Sequence, residues 1–335
     1  MNLSCKRLLQ RTLLLASSLL LVVACSNDNG PVSSIEVAVK GAQAAAISDD
    51  GKYAIIGSVH HGGSLWRISD GERLYNWNHK KGELTTIVAA DFSSDGRWAL
   101  TANPHTLVLW SMQDGSSTRY WTAPGTILSI ALSSDGNYAL LGLDDQSAVL
   151  FDIQRGGIKR TFLHENRVRS VALSKDNKTA LTGSEDSTAS VWNVNSGKLI
   201  NTMKHDDDVQ QVALSSDGLI ALSASQYDKA IIWDARNGNS LGEVPLAAEK
   251  LNRGIRFTSA QFNEDGSQLI TGRPDQTVQL WDVTSMQEID RWKLPKRDAW
   301  KPTSAAVVAV SFSRDKNTYI AVASNGFIHT LNRNK

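Results

Sequence analysis

Apolar and polar positions alternate along most of this chain in short runs, such as VRSVALS (168–174) and VQQVALS (209–215). A period of two over so few residues predicts β-strands with one buried face. The runs end in near-identical polar turns: ISDDG, FSSDG, LSSDG, LSKDN, LSSDG, FNEDG and FSRDK. Their aspartates are Asp50, Asp95, Asp135, Asp176, Asp217, Asp265 and Asp315, spaced by 45, 40, 41, 41, 48 and 50 residues. Fifteen or sixteen residues after each aspartate comes a large apolar residue: Trp66, Trp110, Phe151, Trp192, Trp233, Trp281 and Leu331.

This two-point pattern defines seven copies of one unit. The residue after the aspartate needs a positive φ to close a tight hairpin, which glycine supplies freely. Asn177 serves in its place in the fourth unit, and Lys316 fills that position in the seventh with more strain. Three residues before the aspartates stand Ile47, Phe92, Leu132, Leu173, Leu214, Phe262 and Phe312. Their neighbours one position earlier are mostly small (Ala46, Ala131, Ala172, Ala213, Ser311), as suits a strand crowded near a central axis. A further strand is predicted about eleven residues beyond the tryptophan position. It carries Trp77, Trp121, Phe162, Met203, Val244 and Trp292 in register, which reads as packing between units.

Four antiparallel strands with a period near forty residues resemble the WD-repeat family of β-propellers over essentially all of 33–335. The resemblance implies an all-β, seven-bladed propeller of four-stranded antiparallel blades. It also implies a hydrogen-bonded tetrad of His, Ser/Thr, Asp and Trp. The fourth unit supplies all of it in His164, Thr182, Asp186 and Trp192. The fifth has His205, Ser223 and Trp233, with Asp228 one place off, and the sixth has Thr271, Asp275 and Trp281 without a histidine. Units one, two, three and seven depart further. The seventh stops after its third strand, whereas VSSIEVAVKG (32–41) reads as a lone strand before the first unit. That segment is expected to complete blade seven and remove two open edges. An eight-bladed ring would need an eighth Asp-Gly hairpin, which the sequence lacks.

The N-terminus carries Lys6, Arg7 and Arg11, then an apolar run from Leu13 to Val23, then Val22-Val23-Ala24-Cys25. The run is signal-peptide sized and short for a membrane span. Its ending resembles the lipobox of bacterial lipoproteins. The resemblance implies a cleaved signal at 1–24, a lipidated Cys25 and a short tether at 25–32 before a propeller at 33–335. Ser26, in place of an aspartate, implies passage to the outer membrane, facing the periplasm. Cys5 leaves with the signal, so the mature chain holds one cysteine and no disulfide. With three of the 35 Lys+Arg removed and all 34 Asp+Glu retained, the mature chain is near −2. That balance argues against a nucleic-acid binder. The tether from Ser26 to about Ser33 spans at most ~30 Å. It is expected to leave from the face opposite the long connections described next.

From the tryptophan position to the next aspartate, three units take 25 residues, while the others take 29, 32 and 34. The two largest insertions, PLAAEKLNRGIRF (245–257) and KLPKRDAWKPTS (293–304), flank one blade. They offer Lys250, Arg253, Arg256, Lys293, Lys296, Arg297 and Lys301 around Trp300, against Glu249 and Asp298. Arg and Trp are enriched at binding hot spots, which makes these cations and Trp300 the candidate contacts for a protein partner. HENR (164–167), SEDS (184–187) and HDDDVQ (205–210) map to the same face, as do His60, His61, His79 and His105. Three loop imidazoles could hold zinc, but no carboxylate or cysteine is placed to complete the set. No metal or other cofactor is therefore expected. The repeated Ser and Asp residues occupy turn and tetrad positions, and an asymmetric catalytic pair is not evident. The sequence reading is a lipid-anchored, monomeric platform for protein partners in the envelope. Two alternatives stand beside it, an enzyme or ligand binder using the histidine-bearing face, and a structural lipoprotein with no specific ligand.

Overall fold

The computed structural model describes residues 29–58, 60–227, 229–246, 256–298 and 305–333. The first strand, β1 (Ser33–Glu36), is set aside by the chain and used last. Blade one follows as β2 (Ala42–Ile47), β3 (Tyr53–Ser58), β4 (Gly62–Arg67) and β5 (Glu72–Asn76). Blade two is β6 (Ala89–Phe92), β7 (Trp98–Ala102), β8 (Thr106–Ser111) and β9 (Ser117–Thr122). Blade three is β10 (Ile127–Leu132), β11 (Tyr138–Leu143), β12 (Ser147–Asp152) and β13 (Ile158–Leu163). Blade four is β14 (Val168–Leu173), β15 (Thr179–Ser184), β16 (Thr188–Asn193) and β17 (Leu199–Lys204). Blade five is β18 (Val209–Leu214), β19 (Ile220–Ser225), β20 (Ala230–Asp234) and β21 (Ser240–Val244). Blade six is β22 (Ser259–Phe262), β23 (Gln268–Gly272), β24 (Thr277–Asp282) and β25 (Gln287–Lys293). Blade seven takes β26 (Val307–Phe312), β27 (Thr318–Ala323) and β28 (Phe327–Asn332), and completes itself with β1. Every blade is a four-stranded antiparallel sheet, and the whole is a seven-bladed propeller.

The repeated turn explains itself in hydrogen bonds. In blade three the Ser133 hydroxyl donates to Asp135 at 2.6 Å and accepts the Tyr138 N–H at 2.9 Å, while Asp135 also accepts the Asn137 N–H at 3.1 Å. The same serine-to-aspartate bond recurs at Ser48, Ser93, Ser174 and Ser215. Burial opposes ionisation of Asp135, yet these donors hold its carboxyl below the ordinary value. The residue after the aspartate has positive φ in six blades, Asn177 among them at 60°. Blade seven differs from expectation. There Lys316 is spared and Asn317 takes the left-handed conformation at φ 64°, a position asparagine tolerates far better than lysine.

Outer-strand aromatics join consecutive blades. Trp77 stacks on Trp110 of blade two with centroids 5.2 Å apart and donates to Gly115 O at 3.1 Å. Trp121 donates to Ile153 O of blade three at 2.8 Å, and Trp292 to Asn332 O of blade seven at 3.0 Å. Each indole thus buries apolar area and satisfies its N–H in the same act.

The inner strands surround a central channel of about 630 Å³. Hydroxyls on its wall stitch neighbouring blades: Ser129 accepts Val171 N–H, Ser170 accepts Val212 N–H and Ser259 accepts Val310 N–H, at 3.1 to 3.3 Å. At the crowded position four residues before the turn aspartate, two blades carry longer polar residues than the sequence rule expects. Asp91 accepts Leu132 N–H at 2.7 Å and Gln261 accepts Phe312 N–H at 3.2 Å, so each uses its length to reach the next blade.

Closure runs through β1, whose register is Ser33 with Thr330, Ser34 with His329, Ile35 with Ile328 and Glu36 with Phe327. Val37 and Ala38 both donate to Gly326 O. Gly326 has φ 85°, and a Cβ there would lie 1.8 Å from Ala38 O, so only glycine fits this seam.

Candidate functional site

In blade four, His164 Nδ1 lies 2.8 Å from Asp186, its Nε2 lies 2.7 Å from the Thr182 hydroxyl, and Trp192 Nε1 donates to that hydroxyl at 2.9 Å. Burial opposes ionisation of Asp186, but bonds from Thr188, the Glu165 N–H and His164 hold its carboxyl low. Blade five keeps His205 to Ser223 at 2.8 Å and Trp233 to Ser223 at 3.1 Å, while Asp228 lies outside the described residues. Blade six keeps Trp281 to Thr271 at 3.0 Å. Two residues after Thr271 it holds a buried Arg273, which donates to Gln279 and to Leu246 O.

Blade two retains more of this network than its sequence suggests. His79 Nε2 lies 3.0 Å from Thr101 Oγ1, Trp110 Nε1 donates to the same oxygen at 2.8 Å, and Thr106, the counterpart of Thr188, lies 2.6 Å from His79 Nδ1 in the absence of an aspartate partner among the described residues. His79 precedes Trp110 by 31 residues, against 28 for His164 and Trp192, and this offset hides the match in the sequence. Without a carboxylate partner, burial pushes the His79 ring down to about 4. These histidines, threonines and tryptophans are bonded to one another inside the blades, which is a structural use.

The basic connection after blade six divides on inspection. Trp300, Lys301, Lys250 and Arg253 lie outside the described residues, as does Cys25. Arg256 and Lys296 are exposed. Lys293 Nζ donates to Asp275 O and to the Thr277 hydroxyl. Arg297 is engaged within the chain. Its guanidinium pairs with Glu36 of β1, donates to Ala38 O at 3.2 Å and Asn325 O at 2.7 Å, and lies 5.1 Å from the Phe327 ring centroid. A residue with so many donors engaged on the closing strand holds the ring shut.

The chain's approach to β1 also differs from expectation. Asn29 N–H donates to Arg291 O at 3.0 Å, its carbonyl accepts Lys293 N–H at 2.9 Å, and its side chain donates to Asp290 at 2.7 Å. The tether was expected to leave from the face opposite the long connections. These bonds instead pin the chain to the outer strand of blade six, beside the basic connection.

His60, His61 and His105 are exposed, and among the described residues no three His, Cys, Asp or Glu side chains are grouped to hold a metal ion. The acidic stretches do meet their neighbours on this face, where Glu185 pairs with Arg167 at 2.7 Å and with Arg169. Sequence reasoning passed over His329. It is fully buried in the seam, 2.8 Å from the Ser34 hydroxyl through Nδ1, and burial lowers it to about 4.

Exposed large apolar side chains gather on the outer strands of consecutive blades: Ile158 and Leu163 on β13, Leu199 and Ile200 on β17, Leu241 on β21. Leu163 is 73% exposed. No position common to the seven units marked these side chains, unlike the in-register Phe162, Met203 and Val244 of the same strands.

Three segments of the chain carry WD repeats. Residues 156–193, 197–234 and 252–282 match the WD domain, G-beta repeat. They cover the stretches where the tetrad residues of blades four, five and six are best kept, and they share the four-stranded blade seen in all seven units. Comparison with curated proteins finds no match. WD-repeat propellers are commonly platforms for protein partners and are generally non-enzymatic.

Proposed function

We propose that this protein is a lipid-anchored interaction platform of the bacterial envelope, tethered through Cys25 to the outer membrane and docking protein partners from the periplasm. The observation that carries the docking role is the apolar set on β13, β17 and β21. Single exposed aliphatic residues are ordinary, but five on the outer strands of three consecutive blades mark a surface that is covered in use. The outer strands β13, β17 and β21 also end their sheets, which leaves backbone groups on one edge open to an incoming segment. The anchor rests on the charged start, apolar run and lipobox-like ending of residues 1–25.

A photo-crosslinking residue at Leu199 in living cells tests the docking role, with the exposed Lys52 of blade one as control. A discrete protein adduct at 199 and none at 52 is expected. A blank at 199 in folded, expressed protein would favour the structural lipoprotein without a ligand.

A further inference from the structure

Asn29, which is bonded to blade six, stands four positions after Cys25 in the sequence. Four Cα steps of 3.8 Å allow at most ~15 Å, half the reach of a tether that ran free to Ser33. We infer that the rim between blades six and seven rests on the phospholipid headgroups of the anchoring membrane, so that the ring stands with this edge toward the bilayer. This rests on the proposed lipidation of Cys25.

The chemistry of the rim fits that occupant. Residues 293–297 and 29–38 run side by side, joined at one end by the Asn29–Lys293 bond and at the other by Arg297 on Glu36 and Ala38. The acids along this edge are engaged within the protein. Asp290 accepts from Asn29, Glu288 accepts from Arg291 and Gln279, and Glu36 pairs with Arg297. Asp275, Asp298 and Asp315 are further acids of blades six and seven, and Asp275 lies 3.7 Å from Arg273. Lys296 and Arg333 are exposed on these two blades, Val32 is 57% exposed, and Gly30 has open space around it. Cations flanking a small apolar residue suit a surface of lipid phosphates over an acyl interior. The long basic connection then sits where the anchor enters, and blade three, with its apolar outer strand, lies across the ring from it.

The test uses the full lipidated chain in vesicles of phosphatidylethanolamine and phosphatidylglycerol containing headgroup-quencher lipid. A fluorophore is placed at Val32→Cys, Lys296→Cys or Ile158→Cys. Quenching at 32 and 296 is expected to exceed that at 158 at least threefold. Reversing charge with Lys296→Glu and Arg333→Glu should lower quenching at 32 about twofold. Equal or stronger quenching at 158 in membrane-bound protein overturns the orientation and leaves the anchor standing. Mass spectrometry of the peptide containing Cys25 reads the anchor separately. A peptide without lipid overturns both.

Discussion

Arg297 reaches out of the connection after blade six to pair with Glu36 on the strand that closes blade seven. Two segments 261 positions apart are thereby tied together at the only place where the ring is not covalently continuous. Arg297→Ala should lower the melting temperature by roughly 2–4 °C, the effect of about 1 kcal/mol in a chain of this size. Part of that loss should vanish at high salt, because the pair is partly exposed. A double-mutant cycle with Glu36→Gln checks the coupling. Strict additivity would mean that the pair contributes nothing.

Gly326 and Gly96 both have positive φ, at 85° and 71°, yet their surroundings are opposite. Alanine at Gly96 meets nothing within 4 Å and should cost only the backbone penalty, about 1 kcal/mol. Alanine at Gly326 would drive its Cβ into Ala38 O and should cost more than about 3 kcal/mol. Chemical denaturation of the two variants separates them. Equal losses would show that the seam yields without resistance.

His329 makes the seam sensitive to acid. Its ring is held near 4 in the folded protein against 6.5 in the unfolded chain, so the unfolded chain takes up the proton first as pH falls. Stability from this residue is complete above about pH 6.5 and is lost as pH drops toward 4, by up to about 3 kcal/mol. His79 acts with the same sign over the same window. His329→Gln should flatten the stability profile between pH 6.5 and 4, measured by denaturant midpoint. An unchanged slope would remove His329 from the account.

Thr101 is buried and is shared by His79 and Trp110. Thr101→Val keeps the shape, removes the oxygen and leaves two buried ring nitrogens without their partner. The expected loss is about 2–3 kcal/mol in thermal or denaturant unfolding. Thr106→Val, which strips only one His79 contact, should cost about half as much.

The repeat and its hairpins were legible because each is a local rule that recurs along the chain, and the closing strand because the seventh unit lacks a fourth strand of its own. Ser133, Asp135 and Gly136 specify their turn within four residues, and any blade can be read from another. What escaped was set by particular neighbours. The seventh turn shifts its left-handed residue from Lys316 to Asn317 because asparagine was available one place on. The tetrad of blade two is displaced by a longer connection, and its histidine meets a threonine without an aspartate. Arg297 was legible as a cation in a long loop, but its partner lies at the other end of the chain. Asn29 gave no signal, since an asparagine in a polar tether has no pattern that foretells a bond to Asp290.

The clamp at Asn29 has a mechanical meaning. A pull entering through the N-terminal segment would otherwise act directly on β1, which pairs with the rest of the ring along one edge and could be peeled from β28 one bond at a time. With Asn29 held by Arg291, Lys293 and Asp290, such a load is first borne by blade six, a sheet whose four strands are continuous in the chain. If the proposed anchor at Cys25 holds, a pull from the membrane side would reach the β1 seam only after loading blade six.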